Sequence, residues 1–237
     1  MKFKHRKWTS NDEKEKAILP IGLFPKGNWF YLFHMLIFIL IVYPYLEAGA
    51  QKKPWLFTLM NSALIVTIVY TVSFNFKQFL GAVFLGGIEL TFFLFPGLPE
   101  SFLIANIATV FLYVYTVILI LAYLNQSREI GVGEIYGSIS VYILIGLIWA
   151  VLFQLIDYSY PGSFYMDRHG LDGALSWSDF LFFSFTTLTT LGYGDISPTS
   201  SPAQSLAIIE ALTGVVFIAV VVSKSIGLYL VRFQNKL

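Results

Sequence analysis

Cysteine is missing from all 237 residues. Disulfides and thiolate metal sites are therefore excluded, and no redox compartment is signalled. Charge is scarce as well. Charged residues make up 12% of the chain, where a soluble domain carries about 25%. The net charge is +1, so no overall field points to nucleic acid or an acidic partner. Histidine is thin too. Beyond the first residues there are only His34 and His169. Neither has a Ser or Asp at a recognisable catalytic spacing, which argues against an intramembrane hydrolase and, more widely, against an enzyme. No fixed-period repeat and no low-complexity segment is present.

What the chain has instead is apolar residues, 57% of the total, gathered into runs. Asn28 to Leu46 holds no formal charge. About 20 apolar residues cross a hydrocarbon core about 30 Å thick. His34 lies inside this run. It reads either as a proton or gating site or as a structural residue near the headgroups. Lys52 and Lys53 interrupt, and Pro54 to Phe76 is a second uncharged run. Gln78 to Phe95 is a third, broken by Gly81, Gly86, Gly87 and Glu89. Glycine faces allow close helix packing in lipid. An intramembrane acid such as Glu89 is a functional candidate by default, or else a hydrogen-bonded acid between helices. Pro96 to Glu100 reads as a tight turn. Ser101 to Leu124 and Ile135 to Ile156 are the fourth and fifth uncharged runs.

Residues 157–176 are polar, with Asp157, Asp167, Arg168, His169 and Asp172. Ser178 before Asp179 suits a helix N-cap. The apolar run that follows, to Thr189, is too short to span, so a re-entrant helix over about 179–189 is expected. Ser201 as cap, Pro202 in the first helical position and Gln204 closing a capping box then predict a last span. It runs to about Val231, with Glu210 and Lys224 inside. The expectation is an all-α membrane protein with six transmembrane helices. Its parts are a tail 1–27, a four-helix module 28–124, a linker 125–134, a loop-bearing pair of spans 135–231 and a short end 232–237. No cleaved leader is expected before the first span, and no soluble domain after the last.

An even number of spans puts both termini on one side. That side would hold the seven tail cations with Lys77, Arg128, Lys224, Arg232 and Lys236, against Lys52, Lys53 and Arg168 on the other. The positive-inside rule makes the termini cytoplasmic, and the re-entrant loop enters from outside. The basic tail reads as a solvated segment or one that docks on anionic lipid. The outer acids Asp157, Asp167, Asp172 and Asp179 read as a negative mouth or as ordinary loop solvation.

The re-entrant helix runs into Thr187-Leu188-Thr189-Thr190-Leu191-Gly192-Tyr193-Gly194-Asp195. Glycines reach φ > 0 at little steric cost. Alternating them with other residues turns successive carbonyls toward one line, which can replace the water shell of a cation. The C-terminus of the short helix carries roughly half a negative charge and favours a cation beyond it.

This stretch resembles the potassium-channel signature, with Leu191 where the family has valine. The likeness covers about residues 135–231. The first four spans resemble the six-span channels only in number and placement. The resemblance implies a potassium-selective, passively conducting homotetramer in a plasma or cell membrane, with K+ as transported ion and no cofactor. It implies K+ ligation by the carbonyls of Thr190, Leu191, Gly192 and Tyr193, in a filter closed by Gly194. Asp195, with Thr186, Thr187 and Thr189, would support the filter from behind. Family members pair this carboxylate with a tryptophan or carboxyl group of the re-entrant helix. The matching positions here hold Phe183 and Thr186, so a more labile filter is expected. Gly214 stands 19 residues after Asp195, the spacing of the family's hinge glycine. Ile218 and Val222 share its helical face and are expected to line a cavity. Lys224 snorkels or rings the inner mouth, and Glu210 is expected to hydrogen-bond the re-entrant helix or the fifth span. Voltage-gated relatives carry regularly spaced arginines on the fourth span. Residues 101–124 hold no Arg or Lys, and Arg128 lies beyond them, so no fourth-span voltage sensor is expected. Two alternatives remain: a silent or regulatory subunit, and a potassium uptake transporter, whose superfamily carries four divergent copies of the loop per chain.

Overall fold

The computed structural model describes residues 29–48, 54–73, 75–95, 97, 100–126, 132–166 and 175–234. The basic tail, Lys52, Lys53, Arg128, Asp167, Arg168, His169 and Asp172 lie outside them. The described helices are α1 (Trp29–Ala48), α2 (Pro54–Val72), α3 (Phe76–Leu94), α4 (Ser101–Gln126), α5 (Val132–Ser159), α6 (Trp177–Leu188) and α7 (Ser201–Gln234). They follow the apolar runs closely, and α6 is the short one. Two strands of three residues, β1 (Phe164–Met166) and β2 (Ile196–Pro198), add a ribbon to the all-α expectation. Trp29–Leu46, Ser101–Gln126, Val132–Ser159 and Ser201–Val221 are long and apolar enough to cross a membrane, and Thr58–Val72 is a shorter apolar stretch.

Helical periodicity sets the packing. In α1 the buried residues Trp29, Leu32, Leu36, Ile39 and Tyr43 recur every three or four positions, which is one helical face. In α4, Ala105, Ala108, Leu112, Thr116, Ile120 and Leu124 do the same. Helices α1 to α5 pack in chain order, and α1 closes back on α5. Helix α5 also carries α6 and α7, so it is buried on several sides. Small residues make the close approaches. A Cβ on Gly86 would stand 2.6 Å from Ile65, and one on Gly146 would stand 2.7 Å from the Phe185 ring. Hydroxyls inside the apolar helices are spent on their own turn. Ser62, Thr67, Thr71, Thr116 and Ser140 each donate to the carbonyl four residues earlier. Such back-bonding lets a polar residue sit in an apolar helix without a tertiary partner. His34 is likewise local: its Nδ1 lies 2.8 Å from the Phe30 carbonyl.

The end of the bundle beyond α5 is built around Ser163. Its N–H donates to Asp157 Oδ1 at 3.1 Å, and its hydroxyl donates to the Tyr160 carbonyl at 2.6 Å. Its carbonyl accepts from Thr199 N at 2.8 Å. Strand β1 then pairs antiparallel with β2, Tyr165 opposite Ser197. Beneath the ribbon sits a second core of Phe153, Phe164, Phe180, Phe183, Ile196 and Ala203. The rings of Phe153 and Phe183 lie 4.9 Å apart, edge to face. Phe183 therefore fills this core. Truncating Phe153→Ala is expected to cost about 3–5 kcal/mol through the void it leaves. A clear fall in the thermal unfolding midpoint of detergent-solubilised protein checks this.

Candidate functional site

Helix α6 starts two residues earlier than the sequence suggests. Ser176, not Ser178, is the N-cap, and Asp179 closes the box by accepting from Ser176 N at 2.8 Å. The carboxylate sits three residues into the helix, where it also complements the helix dipole. Ser178 is two residues too late to serve, because it already lies in the first turn. Twelve residues at 1.5 Å each reach about 18 Å, well short of a hydrocarbon core.

At its C-terminus the chain folds back on the helix. Thr189 N donates to the Phe185 carbonyl and Thr190 N to the Thr187 carbonyl. Leu191 N and Gly192 N both donate to the Thr186 carbonyl, at 2.8 and 3.1 Å. Thr189 adds its hydroxyl to the Phe185 carbonyl. Beyond this point φ is positive at Thr190 (58°), Gly192 (53°) and Gly194 (82°). Alternate residues are thus left-handed, an arrangement that costs threonine strain and glycine little. The consequence is a separation of donors and acceptors. The first three N–H groups of Thr190–Gly194 are spent on the helix end. Among the described residues, no N–H or O–H donates to the carbonyls of these five. Leu191 is 56% and Tyr193 67% exposed. Carbonyls without protein donors, on residues this exposed, can act as ligands for a hard cation.

Behind this stretch the side chains of Thr186 and Asp195 bond close by in the chain. The Thr186 hydroxyl donates to the Phe183 carbonyl at 3.0 Å, and the Asp195 carboxylate accepts from Ile196 N at 3.0 Å. The two side chains are each satisfied locally. Thr186 and Thr187 serve through their backbone carbonyls instead. The ring of Phe182 stacks on Tyr193 at 5.8 Å and 8°. Nothing in the sequence singles out Phe182 from its neighbours Phe180, Phe183 and Phe185. Of the outer acids, Asp157 and Asp179 are engaged in the turn and the cap described above.

Helix α7 starts one residue earlier than expected, at Ser201 rather than Pro202. Ser200 accepts from Ala203 N at 3.4 Å, and the Gln204 side chain donates to the Pro198 carbonyl at 3.2 Å. Ser201 is already helical. Glu210 is fully buried and meets α6 as expected. Ser184 Oγ lies 2.6 Å from Glu210 Oε1 and 2.7 Å from the Gly146 carbonyl. One hydroxyl thus joins α5, α6 and α7. Gly214 is buried, and a Cβ there would stand 1.9 Å from the Leu188 carbonyl oxygen. Its face is therefore covered by the end of α6, while Ile218 is exposed. The side chain of Val222 lies outside the described ones. Lys224 reaches the carbonyl of Leu124 on α4.

Because the obstacle at Gly214 is a backbone oxygen, no rotamer change relieves it. Gly214→Ala is expected to destabilise by about 1–3 kcal/mol. The measurement is the thermal unfolding midpoint in detergent, with Ala211→Gly on the same helix as control for helix propensity.

The comparisons with known proteins fall on this same region. Residues 139–230, from within α5 through most of α7, match the family model described as "Ion channel". The chain is 30% identical over 111 residues to two-pore potassium channel 4 of Arabidopsis thaliana, an overlap of 47% of this chain and 38% of that protein. The chain thus spans well under half the length of this curated relative. No solved structure matches it. With apolar helices long enough to cross a bilayer, the chain is an integral membrane protein carrying an ion-channel domain over residues 139–230, similar to a potassium channel.

Proposed function

We propose that the chain forms a potassium-selective channel, with the carbonyls of Thr190, Leu191, Gly192 and Tyr193 as K+ ligands and Gly194 closing the filter. The observation that carries this reading is the alternation of left-handed residues at Thr190, Gly192 and Gly194, with no donor to their carbonyls among the described residues. Carbonyl dipoles bind a cation well enough to strip its water and weakly enough to release it. The C-terminal end of α6 adds its negative pole behind the filter.

In this reading α6 is the re-entrant helix, α1 to α5 and α7 are six spans, and both termini are cytoplasmic. Helix α3 has 19 residues, about 28 Å of helix, so it can span despite Lys77 and Glu89. One chain supplies one row of carbonyls, and a cation needs a ring, so four copies would assemble around the axis. The exposure pattern supports a partner there. Half of the membrane-length stretch of α5 is buried, against 11% of that of α7. Ile208, Leu212, Val215 and Ile218 on α7 are all exposed, and some of them would face neighbouring copies and a central cavity. The first four helices offer no arginine ladder, so steep voltage dependence is not expected of them.

Purified protein in liposomes tests this. Potassium-driven flux should exceed sodium-driven flux by at least tenfold, or about 1.4 kcal/mol of discrimination. Equal passage of sodium would defeat selectivity, and no flux would favour a silent subunit. Gly192→Ala, which forces a side chain into the left-handed region, should cut potassium flux sharply. Thr186→Val should leave selectivity unchanged, because the filter is held by the Thr186 carbonyl and not its hydroxyl.

A further inference from the structure

Helices α1 to α5 close a ring, and inside one end of it lies a cavity of about 620 Å³. Its walls come from the C-terminal halves of α1, α3 and α5, the N-terminal halves of α2 and α4, and Trp177 at the head of α6. It therefore lies toward the end of the bundle that carries the ribbon. Most of the wall is apolar or aromatic, including Tyr43, Phe92, Leu147 and Trp177. The volume is that of a small-molecule site.

Glu89 lines this cavity and is only 1% exposed. Its Oε1 accepts from Asn61 Nδ2 at 3.1 Å. Its Oε2 is buried with no hydrogen-bond partner among the described residues. Thr109 stands beside the carboxyl, but its hydroxyl proton goes to the Ala105 carbonyl at 2.9 Å. Asn106, also in the wall, gives its amide to the Phe102 carbonyl. No Lys, Arg or His is among the described lining residues. A buried carboxyl with an open oxygen in an apolar cavity lacks a donor.

We propose that this cavity binds a small organic ammonium ion with an apolar body, its N–H groups on Glu89 and its body against the aromatic wall. An ammonium supplies both missing things, a proton donor for Oε2 and a counter-charge. Aromatic faces near the cation add attraction. A bare alkali ion would leave the apolar wall unused. The cavity joins α1–α4 to Leu147, Val151 and Gln154 on α5 and to Trp177 on α6. The T-shaped pair Tyr43–Trp177, 6.2 Å apart, bridges the two parts. An occupant would therefore bias the position of α6, which gives α1–α4 a ligand-sensing role. That last step rests on the channel reading; binding itself does not.

The test is equilibrium binding of labelled phenethylammonium to the full chain in nanodiscs, in excess KCl, with n-propylbenzene as the uncharged analogue. Saturable binding at one ion per chain is expected. Glu89→Gln should weaken it at least tenfold and leave n-propylbenzene unaffected. Ala105→Phe, which fills the cavity and keeps the acid, should abolish it and remains decisive if the Gln variant does not fold. Wild-type affinity in both variants would overturn the proposal, as would n-propylbenzene competing as well as the amine, or potassium or sodium chloride displacing it from the wild type. Flux is read separately in liposomes. Binding without any flux would sink the channel reading and keep the site; flux without binding would do the reverse.

Discussion

Everything near Thr190–Gly194 depends on how five peptide units are held at the end of a twelve-residue helix. A backbone carries one donor and one acceptor per residue, and both normally need partners. Here the Thr186 carbonyl takes two N–H groups from Leu191 and Gly192. That spends two of the loop's donors on the helix end. Positive φ recurs at alternate residues, Thr190, Gly192 and Gly194. The rest of the fold holds this arrangement in place. Ser176 and Asp179 fix where α6 begins, Phe182 stacks on Tyr193, and the β1–β2 ribbon ties the far end of the loop to the turn after α5.

Two kinds of contact hold α6 in its cradle. One is apolar: Phe153, Phe164, Phe180 and Phe183 fill the second core. The other is polar: Ser184 stands between the Gly146 carbonyl and Glu210. In lipid, helices gain little from excluding water, so packing and hydrogen bonds must supply the specificity. Glycines at 86, 146 and 214 let the backbones come close enough for such contacts to form.

The long elements were legible in the sequence because uncharged runs bounded by Lys, Pro and Asn leave few readings. The loop was legible because Gly192 and Gly194 bracket Tyr193 after a threonine pair. Boundaries were less so. Ser176 and Ser178 both suit an N-cap, and only three-dimensional geometry chooses between them. The ribbon escaped notice because three-residue strands carry no periodicity. Behind the loop, the side chains of Thr186 and Asp195 both find partners within three residues. Phe182, which stacks on Tyr193, is one of several phenylalanines in a row, and only the facing of the helix tells them apart. Gly214 was expected as a hinge from its spacing; the Leu188 carbonyl against it is a contact between residues distant in sequence.

That contact has a mechanical consequence. A gap of van der Waals size between two helices lets one slide before the other responds. Between Gly214 and Leu188 there is no such clearance, since even a methyl group would overlap the carbonyl oxygen. Leu188 stands two residues before the left-handed Thr190. Any sideways push of α7 at this level is therefore delivered to the root of the carbonyl row without lost motion. A movement that spares the row has to take place nearer the far end of α7.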